Sequence, residues 1–217
     1  QLQESQKRLL RNLYFQSIFD DQVFLLDTSG TLLWTEPNRG DAMDGDPHWA
    51  ETLLRALDPA RPVVSPVLFV NPGNRAIVAA LVPLKHRQGP AVGWVGGSID
   101  LSGQRLERAI ASVKLGATGY VEVVDSRGVV LASTEAKALL TASDHGNTLA
   151  GLIQRRQSTV STCHSCHSGP ASNGRRTEVM AFVPLTTISW GVAIRQSEQE
   201  ALAPARDLQR RFTIFGS

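Results

Sequence analysis

The chain has 217 residues, a formal net charge of +2, 42% hydrophobic residues and 19% charged residues. That is enough length for one large domain or two small ones, and enough apolar content for a true core. The near-neutral charge and scattered tryptophans offer no basic face for nucleic acid, and there is no apolar run of about 18 residues of the kind that spans a bilayer.

Residues 1 to 20 read as one amphipathic helix, because Leu2, Leu9, Leu10, Leu13, Phe15, Ile18 and Phe19 recur at helical spacing. Residues 23–27, Thr28-Ser29-Gly30 and residues 31–35 then read as strand, tight turn and strand. Residues 37–47 are rich in Asp, Gly, Asn and Pro and read as loop. Residues 48–57 place Trp49, Leu53, Leu54 and Leu57 on one helical face, and Pro59 and Pro62 end that helix. Residues 63–70, 76–84 and 92–101 read as three further strands, with turns between them at residues 71–74 and 87–90.

After a helix over 102–115 the pattern starts again. Residues 120–125 and 129–132 flank the turn Ser126-Arg127-Gly128, so that Asp27-x-x-Gly30-x-x-Leu33 matches Asp125-x-x-Gly128-x-x-Leu131. Val82-Pro83-Leu84 before an apolar strand likewise matches Val183-Pro184-Leu185 before residues 190–194. Shared landmarks, in the same order and at nearly the same spacing, argue for an internal duplication. Each copy is a hairpin, a helix and three antiparallel strands, an α+β unit. In the second copy the helix covers 146–154, with Leu149, Leu152 and Ile153 apolar and Ser143 or Asp144 as its N-cap. A polar loop of about twenty residues, a length that is usually functional or disordered, separates it from the strand at 177–185.

That loop holds both cysteines of the chain and two of its five histidines, in Thr162-Cys163-His164-Ser165-Cys166-His167. C-x-x-C-H is the arrangement of covalent c-type haem attachment. Two thiols a short turn apart can reach the two vinyl groups of one porphyrin edge, and His167 would lie under the iron as its ligand. A second axial ligand would come from His145 or Met180. For His145 a capping or solvated position competes, and for Met180 a place in the core. Arg155, Arg156, Arg175 and Arg176 flank the loop and could pair with haem propionates, against the simpler reading of solvated loop arginines. The alternatives are a zinc site on Cys163, Cys166 and His167 with His164 or His145, a Cys163–Cys166 disulfide or redox switch, and an exposed loop with ordinary thiols. His48 and His86 read as surface or packing histidines. No Ser-His-Asp spacing, paired carboxylates or phosphate-cradling loop is present, and Gly93, Gly96 and Gly97 fall within a strand.

With two PAS-like units after a long helix, the Asp-x-x-Gly hairpins, the Val-Pro-Leu strands and the closing Trp190-Gly191-Val192-Ala193-Ile194-Arg195, the chain resembles a double-Cache extracytoplasmic sensor domain over nearly its whole length. The resemblance implies an N-terminal helix at 1–22, a membrane-distal unit at 23–101, a membrane-proximal unit at 102–196 carrying the cysteine motif, and a C-terminal helix at 197–217. It implies a homodimeric bacterial receptor on the periplasmic face of the inner membrane, such as a sensor histidine kinase, a chemoreceptor or a cyclic-dinucleotide enzyme. Both ends of the chain then read as cut, with Phe212-Thr213-Ile214-Phe215 opening a transmembrane helix. It further implies a small ligand in the distal unit, where Trp34, Trp49, Arg55, Arg75, Trp94 and Asp100 could line a pocket. A core role competes for Trp49 and Trp94, and the Tyr-rich amino-acid-binding pattern of the family is not evident. The leading expectation is a sensor, not an enzyme, that reads redox state or a diatomic gas through haem c. The second is a small-molecule receptor whose cysteine loop is a metal site or a disulfide, and the third is an electron-transfer haem protein.

Overall fold

The computed structural model describes residues 3–38, 52–53, 55, 57–70, 75–87, 89–111, 113, 115–135, 139–164 and 177–215. The chain divides into two compact units, Gln1–Ala109 and Ile110–Ser217. Each is built on one antiparallel sheet with its own apolar cluster.

The first unit opens with α1 (Glu4–Gln16), followed by β1 (Gln22–Leu26), β2 (Leu32–Glu36), β3 (Val63–Val64), β4 (Leu68–Val70), β5 (Arg75–Lys85) and β6 (Ala91–Asp100). The sheet order is β2-β1-β6-β5-β3, with β4 also paired to β5. Alternation along the strands sends Phe24, Leu26, Ile77, Ala79, Leu81 and Trp94 to one face, where Leu53 joins them. On the other face Phe19 packs against Gly97 of β6: a β-carbon at that glycine would lie 2.3 Å from the ring.

The first helix ends at Gln16, earlier than the spacing of Ile18 and Phe19 predicts. Ser17 Oγ accepts from Phe19 N at 3.2 Å, which gives the backbone a turn in place of the next helical bond. Arg105, from α2 (Gln104–Ala111), then satisfies the loose carbonyls. Its Nη1 donates to Tyr14 O at 2.8 Å, Ser17 O at 2.9 Å and Phe19 O at 2.9 Å. A cation on the last carbonyls of a helix meets both their unmade bonds and the negative end of the helix dipole. Arg105→Ala is expected to cost about 2 kcal/mol of first-unit stability and to free α1, seen as faster hydrogen exchange over residues 4–16 while the sheet stays protected.

The second unit contains β7 (Tyr120–Val124), β8 (Val130–Ser133), α3 (Gly146–Gln154), β9 (Thr159–His164), β10 (Thr177–Pro184), β11 (Gly191–Ser197), α4 (Glu198–Ala201) and α5 (Ala203–Phe215). Its sheet order is β8-β7-β11-β10-β9. Val124, Val130, Met180, Phe182 and Ala193 from the sheet meet Leu149, Leu152 and Ile153 of α3. Pro204, without an N–H to donate back to the preceding turn, stands where α4 gives way to α5. No helix among the described residues is long and apolar enough to cross a membrane.

The two Asp-x-x-Gly hairpins have one physical basis. Asp27 Oδ1 accepts from Ser29 N at 2.8 Å and Thr31 N at 2.9 Å; Asp125 Oδ1 accepts from Arg127 N at 2.8 Å and Val129 N at 2.9 Å. In each turn the glycine three residues on takes a left-handed φ, 83° at Gly30 and 77° at Gly128, where a β-carbon is disfavoured. Two expectations are corrected. The helix read at 102–115 is confined to Gln104–Ala111 among the described residues. The segment before residue 165, read as loop, is strand β9, with Cys163 paired to Glu178 and His164 to Thr177. Thr159, Val160 and Thr162 favour a strand there, and β10 supplies the partner.

Candidate ligand-binding site

At one end of the first sheet, polar side chains replace the apolar ones. Arg75 opens β5 and Asp100 closes β6, while Asp21 precedes β1. Arg75 Nη1 lies 2.6 Å from Asp21 Oδ1 and 3.2 Å from Asp100 Oδ2. Ser98 Oγ donates to Asp21 Oδ2 at 2.6 Å, and Asp100 N donates to Asp20 Oδ1 at 2.9 Å. Burial acts to raise the Asp100 carboxyl, but the Ser102 hydroxyl and amide and then Arg75 outweigh it, holding the group below the usual aspartate range. Two carboxylates, Asp21 and Asp100, share the one guanidinium, so this trio carries a net negative charge.

Of the residues singled out for a pocket, the structure brings Arg75 and Asp100 together. Trp34 stands elsewhere. It is paired with Leu25, which faces away from the Phe24–Leu26 side of the sheet, so Trp34 lies on the opposite face. Trp94 shares the face of Asp100 but lies six residues along the same strand, about 20 Å away, too far for one small molecule to touch both. It is part of the core, and its Nε1–H has no acceptor among the described residues. Arg55 is exposed, His86 is exposed, and Trp49 and His48 lie outside the described residues.

The second sheet has its own buried polar cluster. Arg195, 3% exposed, sets Nη2 3.3 Å from Glu122 Oε2 and donates from it to Ser143 Oγ at 3.2 Å, while Nη1 donates to Tyr120 OH at 3.3 Å. Ser143 Oγ donates to Glu122 Oε2 at 3.1 Å. Burial pushes the Glu122 carboxyl above its ordinary value, with Arg195 and Ser143 pulling it back. Asp21, Ser98 and Glu122 were not singled out, and Ser143 and Arg195 were noted without this role. For Ser98, Glu122 and Arg195 the signal was there: a charged or polar residue at an inward position of an apolar strand must find a partner.

A family model described as a Cache domain matches residues 2–205. The chain belongs to the Cache domain family. Its fold is shared by solved receptor-domain structures of low sequence identity. The ligand-binding domain of the Pseudomonas aeruginosa PAO1 amino acid chemoreceptor PctB, in complex with L-Arg, is 20% identical with a TM-score of 0.60, over 93% of this chain and 81% of that one. The extracellular domain of the putative histidine kinase rpHK1S-Z16 is 16% identical with a TM-score of 0.63, over 93% and 80%. The ligand-binding domain of the Pseudomonas fluorescens chemoreceptor CtaA, in complex with L-leucine, is 18% identical with a TM-score of 0.60, over 90% and 78%. No curated protein sequence matches the chain.

The expectation of haem c, with zinc as its alternative, is corrected for this Cache domain. Met180, the strand candidate for an axial ligand, is 2% exposed and packed among Phe182, Leu149 and their neighbours, so its sulfur faces filled core. His145 directly precedes α3 and already has a partner. Cys163 and His164 end strand β9, paired with Glu178 and Thr177 of β10. Cys166 and His167 lie outside the described residues. Among the described residues no three His, Cys, Asp or Glu side chains gather to hold a metal. The related PctB and CtaA structures hold L-Arg and L-leucine.

Proposed function

We propose that this Cache domain is the extracytoplasmic sensing part of a membrane-anchored bacterial receptor, a chemoreceptor or a sensor histidine kinase, and that it takes a small zwitterionic molecule of the amino-acid class. The single observation that carries the reading is the family match over residues 2–205. The charge pattern of the first unit supports the ligand class: Asp21 and Asp100 share the one Arg75, so the cluster carries a net negative charge that suits an ammonium, and Arg75 between them suits a carboxylate. The amino acids held by PctB and CtaA fit the same chemistry. The matching Asp-x-x-Gly turns support two tandem units of common origin, over 23–101 and 102–196. Leu9, 72% exposed, and Leu13 on α1 support a homodimer in the full receptor.

A thermal-shift screen of the chain against the L-amino acids and γ-aminobutyrate tests the proposal. A ligand at a hundredfold excess over its Kd is expected to raise Tm by about 5–10 °C. Asp100→Asn, which keeps the shape and removes the charge, is expected to weaken that ligand at least about tenfold. A flat response to the whole panel would sink the amino-acid reading.

A further inference from the structure

At the end of the second sheet where β7 begins and β11 finishes, a cleft of about 690 Å³ opens. That is the size of a small-molecule site and far larger than a single ion needs. Among its described lining residues the ionisable ones are Tyr120, Glu135 and Glu178, and Thr118 and Ser197 add hydroxyls. Glu178 is half-buried at the start of β10. Neither Glu178 nor Glu135 forms an ion pair among the described residues. The Arg195 guanidinium stacks 5.8 Å from the centre of the Tyr120 ring, and its own charge is balanced by Glu122. Burial, opposed by the Arg195 charge and aided by Glu178 and Glu122, pushes the Tyr120 phenol up to about 12, so it enters the cleft as a neutral ring and hydroxyl. A half-buried carboxylate with no counter-ion among the described residues favours a positive group placed beside it. Anions are repelled by the same two glutamates.

One wall of the cleft is the turn at residues 116–118. The same turn is gripped by Glu200 of α4. Ala117 N donates to Glu200 Oε1 at 2.6 Å, Thr118 N donates to Oε2 at 2.9 Å, and the Thr118 hydroxyl donates to the same oxygen. Ser197 N donates to Thr118 Oγ1 at 3.1 Å. The Thr118 hydroxyl first, and then the two amides, pull the Glu200 carboxyl down to about 2, so it stays charged. Through Leu202, α4 leads directly into α5.

We propose that this cleft binds a small organic cation, an ammonium or guanidinium on a short chain, with Glu178 and Glu135 as its counter-ions and the Tyr120 ring beside it, and that the 116–118 turn passes its occupancy to Glu200 and α5. Thr118 belongs to both the cleft and the Glu200 grip, so a ligand that moves its hydroxyl alters the anchor of the helix that leaves the unit. A helix responds only to a ligand that favours one of its two arrangements, and Thr118 is where that preference arises. The proposal stands apart from the amino-acid reading of the first unit, because its probes carry no carboxylate.

The test is calorimetric titration of the chain with putrescine and with agmatine, with succinate as an anion of similar length, at fixed ionic strength. At least one amine is expected to bind saturably, and succinate is not. Glu178→Gln is expected to weaken the amine at least about tenfold, and Glu135→Gln, at an exposed position that spares folding, about threefold. On binding, hydrogen exchange at the amides of Ala117 and Thr118 should slow, and in Glu200→Gln the amine should no longer alter exchange over residues 203–215. The site is overturned if neither amine binds at about 10 mM, if succinate binds as well as they do, or if both glutamine variants bind the amine like the parent chain. Tight binding with unchanged exchange at residues 117 and 118 overturns the link to α5.

Discussion

Arg195→Met is expected to cost the second unit about 3–5 kcal/mol, because it removes one half of a buried ion pair and leaves Glu122 charged inside the protein. The side chain is 3% exposed and holds three partners: Glu122 and Tyr120 on β7, and Ser143 before α3. Methionine fills much of the same volume, so the loss is electrostatic rather than a cavity. Two further outcomes separate that cause from general damage. The double variant Arg195→Met with Glu122→Leu should recover most of the loss, since a buried pair replaced by apolar side chains is often neutral. The pH dependence should also have a definite sign. Burial already raises Glu122 above its ordinary value of 4.5, and without Arg195 the rise grows. A raised folded-state pKa contributes stability below the unfolded value that is lost as pH climbs through the folded one. The deficit of Arg195→Met should therefore shrink as pH falls from 7 towards 5. Urea dependence of hydrogen exchange over residues 120–124 and 191–197, both in the second unit, reads all three. A deficit that is flat in pH and persists in the double variant would mean that Arg195 acts by packing alone.

The fold was legible because local and non-local signals agreed. The Asp-x-x-Gly turns name their own hydrogen bonds, and Val-Pro-Leu followed by an apolar run marks the long central strands in each unit. The helix at 146–154 has the bounds its apolar stripe predicts, but its N-cap is His145 rather than Ser143 or Asp144. The misplacements were of two kinds. Phe19 kept helical spacing beyond Gln16, yet it serves as a packing ring under Gly97, which no period reveals. Cys163 sat in a run of Ser, Thr and His that looks like loop, yet β10 offers it an edge to pair with, and pairing is a property of the neighbour. The site was legible in pieces. Arg75 and Asp100 were both noticed, but only the sheet order puts β5 beside β6, and only the pleat sends Trp34 to the far face. The cysteine motif misled for a related reason: a five-residue spacing carries no information on what surrounds it, and Met180, a candidate second ligand, is held in the core.

Phe182→Ala is expected to be the most damaging apolar truncation in the second unit, at about 3–5 kcal/mol. The ring is 1% exposed, in the middle of β10, and it lies over Gly191 of β11: a β-carbon at Gly191 would sit 2.2 Å from Phe182 Cζ and 3.3 Å from Ile153 Cγ1. Glycine there is space reserved for the ring, next to the pairing of Pro184 with Gly191 that ends the ladder. Gly191→Ala should accordingly cost about 1–3 kcal/mol by overpacking. The two changes are coupled through one volume. Combining Gly191→Ala with Phe182→Leu, which gives back ring space, should cost at least about 1 kcal/mol less than the sum of the single losses. Chemical denaturation of the four proteins in this cycle gives the coupling directly. If the losses simply add, the ring does not depend on the glycine, and the approach of β10 to β11 at this level has another cause.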